Sequence, residues 1–86
     1  MLTRTYVIVA RPNAHEQLLL RDFVEAVNEK RYDNAIETLW ELATAPQIAV
    51  ERAQYYGAWY SDIVNKPRRR HIILKNCARR WSREIE

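Results

Sequence analysis

The residues in this chain that could do chemistry are mostly arginines gathered near its end. Arg68, Arg69 and Arg70 are followed by Lys75, Arg79, Arg80 and Arg83, so residues 68–86 hold seven cations against two carboxylates, a local charge of +5. Residues 1–67 hold seven cations against nine carboxylates, so the overall charge of +3 conceals a marked asymmetry. A basic segment on a mildly acidic body is the pattern of a surface that docks something acidic. Nucleic-acid phosphates come first, and an acidic protein partner is the alternative.

Read as a helix, this segment sorts into two faces. Leu74, Cys77, Ala78, Trp81 and Ile85 fall on one side at three- and four-residue spacing. Arg68, Lys75, Arg79 and Arg83 fall on the other, flanked by Arg69, Asn76 and Arg80. A basic amphipathic helix can lie on phosphates, in an acidic protein groove or on an anionic membrane surface. Three arginines at a helix start oppose the positive end of the helix dipole. The offset is expected from a bound phosphate at the free amides, from an Asp or Glu of the first two helices, or from solvent. The other reading makes His71–Lys75 a strand beside Thr5–Val9 and leaves only residues 76–86 helical; the arginines are on the surface either way.

Other reactive types are sparse. His15, His71 and Cys77 do not share a ligand spacing, and His15-Glu16 lacks the second histidine of a zinc-protease helix. Gly57 is the only glycine, too few for a glycine-rich phosphate loop. Ser61-Asp62 has no base nearby in the sequence. The expectation is a protein that is not an enzyme, with no metal and no cofactor. Tyr6, Tyr55, Tyr56, Trp59, Tyr60 and Trp81 could stack on unpaired bases, but so small a domain needs them for buried area, and core is the expectation.

The fold expected to carry these residues is mainly α, a small four-helix domain with an optional short N-terminal strand. Eighty-six residues, 48% of them hydrophobic, support one core. The single cysteine and the lack of a long apolar run fit a soluble cytoplasmic protein acting as a small regulator, inhibitor or adaptor. Residues 3–10 are β-branched and read as extended, pairing with His71–Lys75, lying over the helices, or joining a second copy through Thr5–Val9 as a homodimer. Asn13 then caps a helix over 14–30, with Glu16 placed for a near capping box and Leu19, Leu20, Phe23, Val24, Ala26 and Val27 facing inward.

Asp33 is read as the cap of a second helix over 34–45, whose stripe is Ala35, Ile36, Leu39, Trp40 and Ala43. The run Tyr32-Asp33-Asn34-Ala35-Ile36, with Leu39, Leu42 and Pro46, resembles the second helix of a tetratricopeptide repeat. It covers roughly half a repeat, without the small residue of the preceding turn and without a second copy, so a helical hairpin is all that is carried forward. Pro46 is read as opening a third helix over 47–65, apolar over most of its girth and therefore central to the packing. Gly57 within it is read as a point of close approach for a neighbouring helix. Asn65, Lys66 and Pro67 break the chain before a fourth helix over 68–85, with Asn65 its candidate cap.

Overall fold

The computed structural model describes residues 11–85. They form α1 (Ala14–Asn28), α2 (Tyr32–Thr44), α3 (Val50–Asn65) and α4 (Arg70–Trp81), with a closing 3-10 turn over Ser82–Glu84. No strand occurs among the described residues, which form an all-α domain of four helices. His71–Lys75 is helical within α4, which removes the strand alternative for that stretch. The readings of residues 3–10 as a strand and of Thr5–Val9 as a homodimer contact lie outside the described residues.

α1 starts where Asn13 places it. The Asn13 side-chain oxygen accepts from the Glu16 amide at 2.8 Å, and its amide group donates to the Gln47 carbonyl at 2.8 Å. The cap therefore also ties the start of α1 to the α2–α3 turn. At the other end the Lys30 amide donates to Val27 and the Arg31 amide to Ala26, the paired bonds of a Schellman ending. Lys30 occupies its left-handed position at φ 62°, where glycine is the usual residue and any other costs about 1 kcal/mol or more.

The core lies between α1, α2 and α4. Leu20, Phe23, Ala35, Leu39, Leu42, Leu74, Cys77 and Trp81 are fully enclosed. α1 and α2 pack most extensively on each other; α1 also meets α4 and the 3-10 turn, and α3 lies chiefly against α2. The expectation that α3 is central is thus corrected. Only Arg52, Tyr56 and Ile63 of α3 are buried, while Val50 and Val64 are exposed. Tyr55, Trp59 and Tyr60 are half-buried, as amphipathic rings are when one edge stays wet.

Local starts differ too. Pro46 lies in a turn, and Ile48 drops from that turn into the core before α3 begins at Val50. Asp33 is in the first turn of α2 rather than at its cap, which is Arg31. Asn65 ends α3, bonded to Ser61, and does not cap α4. Trp40, expected inside, is exposed and leans on Tyr60 with ring centres 5.1 Å apart. A methyl group at Gly57 would meet Ala43 Cβ at 3.8 Å, an ordinary contact, so close approach does not demand glycine there.

Candidate functional site

Trp81 fixes α4 to the body. Its ring is fully buried, 5.0 Å from Phe23 and 5.3 Å edge-on to Tyr56, and its indole N–H donates to the Tyr55 hydroxyl at 3.0 Å. Ile73, Leu74, Cys77 and Ala78 are buried along the same side, and Ile85 is half-buried beyond it. Burial raises the Cys77 thiol to about 12, opposed in part by Arg80. With one face so anchored, the other must point outward.

That outward face carries Lys75, Asn76, Arg79, Arg80 and Arg83, all exposed. Lys75 and Arg79 are four residues apart on α4, about 6 Å of axial rise, and Arg83 follows in the 3-10 turn. Arg68 and Arg69 are also exposed, but in the turn before α4 rather than on the helix. Arg70, the first helical residue, approaches Asp33 of α2 at 3.9 Å, so one of the three arginines at the helix start finds a carboxylate nearby. Arg68, Arg69, Lys75, Arg79, Arg80 and Arg83 form no ion pair among the described residues. The cationic set is therefore split, with Arg68 and Arg69 near one end of α4 and the rest along its middle and C-terminal half.

Shallow grooves border this face on both sides. Trp59 of α3 walls one, together with Asn76, Arg79, Arg80 and Arg83, and the Arg80 guanidinium lies 5.7 Å from the Trp59 ring centre. The other runs between the end of α1 and α4, with Lys30, Tyr32, Lys75 and Arg79 around an apolar floor of Val24, Val27 and Ala78. Tyr32 stacks on His71 at 4.1 Å. Arg79 belongs to both grooves. Lys30 and Tyr32 were not legible as site residues, because each comes from an element distant in sequence from the arginine run, and Trp59, weighed as a stacking ring but expected in the core, is half-buried at the groove.

A second constellation is buried. Glu16, in the first turn of α1, is 1% exposed and Arg52 of α3 is 7% exposed. One Glu16 carboxylate oxygen accepts from both Arg52 Nε and the Tyr56 hydroxyl. Arg52 Nη2 also donates to Glu84 at 3.0 Å and to the Tyr56 oxygen at 3.2 Å. Burial and the bond to Glu16 push the Tyr56 hydroxyl well above its ordinary range. For Arg52, burial acts downward but is outweighed by Glu16 and Tyr56, so its charge is held more firmly than usual. Glu16 thus turns inward instead of completing a capping box. The cluster joins α1, α3 and the 3-10 turn as a structural lock, and Glu16, Arg52 and Tyr56 line neither groove beside α4.

Among the described residues no group of three or more His, Cys, Asp or Glu side chains could hold a metal ion. None of their helices is long and apolar enough to cross a membrane. No family model, curated protein or solved structure matches this chain.

Proposed function

We propose that this protein is a small binding protein that docks on nucleic-acid phosphates through the outward face of α4, without catalysing a reaction. The observation that carries the reading is the set of exposed cations at Arg68, Arg69, Lys75, Arg79, Arg80 and Arg83, none in an ion pair among the described residues. Phosphates would supply the counter-charge that the domain does not. Arg70 contributes less, because Asp33 already faces it. Affinity from such a surface comes chiefly from backbone contacts, which position a strand without reading its sequence.

Alanine replacement of the arginines one at a time tests this. Several modest and similar losses of affinity for a labelled nucleic acid support phosphate docking. The second reading is a protein–protein interaction module, a small inhibitor or adaptor whose arginine-rich face binds an acidic protein. It is favoured by the Arg80–Trp59 pair, since Arg and Trp dominate protein interfaces. That reading predicts no nucleic-acid affinity and a partner whose binding collapses on removal of one or two side chains.

A further inference from the structure

The groove between the end of α1 and α4 differs from a plain basic surface. It encloses about 410 Å³, within the range of small-ligand clefts, roughly 300–1,000 Å³. Its floor is apolar, made by Val24, Val27 and Ala78, and its rim is cationic, made by Lys30, Lys75 and Arg79. Tyr32 forms one wall and is braced from behind by His71. An apolar floor under a cationic rim suits a ligand with a flat, weakly polar part joined to anionic groups.

We infer that this groove holds one unpaired nucleotide, with its base on the apolar floor beside Tyr32 and the adjoining phosphates on Lys30, Lys75 and Arg79. The inference rests on the reading of α4 as a phosphate-docking face and narrows it to single-stranded nucleic acid. A base stacked within a duplex cannot reach such a floor, because its faces are covered by its neighbours. Lys75 and Arg79, one helical turn apart on α4, are placed to meet successive phosphates of one strand.

Charge at the rim agrees. The nearest carboxylate in sequence, Glu29, is occupied by Arg31 at 2.8 Å, and Glu84 turns toward Arg52. The rim cations make no ion pair among the described residues. Lys30 adds a separate argument, for it holds the left-handed position that ends α1, where glycine would be more stable. The lysine there costs the fold some stability, and its side chain lines the groove.

The test uses the 86-residue chain and a fluorescein-labelled single strand of about 15 nucleotides, near the upper footprint of one small single-strand-binding fold. Its duplex and a copy with abasic sites at every position are the comparisons, run as DNA and as RNA. We expect the single strand to bind at least about tenfold more tightly than the duplex. Removing the bases should cost about tenfold, as loss of a stacked base does. Lys30→Gly should raise the melting temperature by about 4 °C or more while weakening single-strand binding several-fold. Lys75→Ala should weaken binding without changing the melting temperature. Binding of either sugar type meets the expectation, and the tighter one identifies the source. Equal affinity for single strand, duplex and abasic strand overturns the inference but leaves the basic face standing as a phosphate surface. Absence of binding by all of them removes that face as a nucleic-acid site, and this inference with it.

Discussion

Removing the Arg52 guanidinium would leave the Glu16 carboxylate enclosed with only the Tyr56 hydroxyl beside it. An unpaired buried charge of this kind costs about 3–5 kcal/mol, so Arg52→Met should lower stability by that amount in urea denaturation. The double variant Glu16→Leu with Arg52→Met should recover much of the loss, because no buried charge is then stranded. Cys77 gives a second prediction at this scale. Its folded thiol lies near 12 against 9.0 in the unfolded chain, so the stability tied to the protonated form is complete below pH 9 and falls as pH rises toward 12. The slope should reach about 1.4 kcal/mol per pH unit. Tyr56 acts in the same direction from about pH 10 upward, since its folded hydroxyl is also raised. Stability measured between pH 9 and 10 should therefore fall less steeply in Cys77→Ala than in the native chain.

At the scale of elements, periodicity made α1 and α4 readable, and a cap fixed the start of α1. Asn13 caps as its type and position imply, and the apolar row of α4 faces inward with Ile73 added to it. α3 was misread because counting apolar residue types treats tyrosine and tryptophan as though they must be enclosed. Their polar tips allow half-burial, and Val50 and Val64 are exposed. Gly57 was misread for a related reason, since sequence cannot show how much room lies beside a helix. With Ala43 Cβ 3.8 Å from the missing methyl and no positive φ, Gly57→Ala should stabilise the domain by about 1 kcal/mol, measured by thermal or urea unfolding. A destabilised variant would show that the α2–α3 contact is tighter than this geometry gives.

Over the whole molecule, charge is sorted by side. Asp22, Glu25 and Glu37, with Arg31 among them, line a groove between α1 and α2, whereas Lys75, Arg79 and Arg80 occupy the outward side of α4 and Arg83 follows in the 3-10 turn. The sorting was visible in composition, because half of the cations lie in one short segment that holds only two carboxylates. Its lateral borders were not, since Lys30, Tyr32 and Trp59 reach α4 only through the packing of α1, α2 and α3. Nor did sequence foretell the lock at Arg52, an ordinary helical arginine until Glu16, Tyr56 and Glu84 are brought around it.

The central claim, that α4 docks on phosphates, is tested most directly by fluorescence anisotropy with a labelled single strand at several salt concentrations. About three to six phosphate contacts predict a log–log slope of affinity against salt between about −2 and −4. Arg79→Ala, which removes the cation shared by both grooves, should make that slope shallower by about one. Affinity that does not change with salt, or no binding even at low salt, would contradict the account.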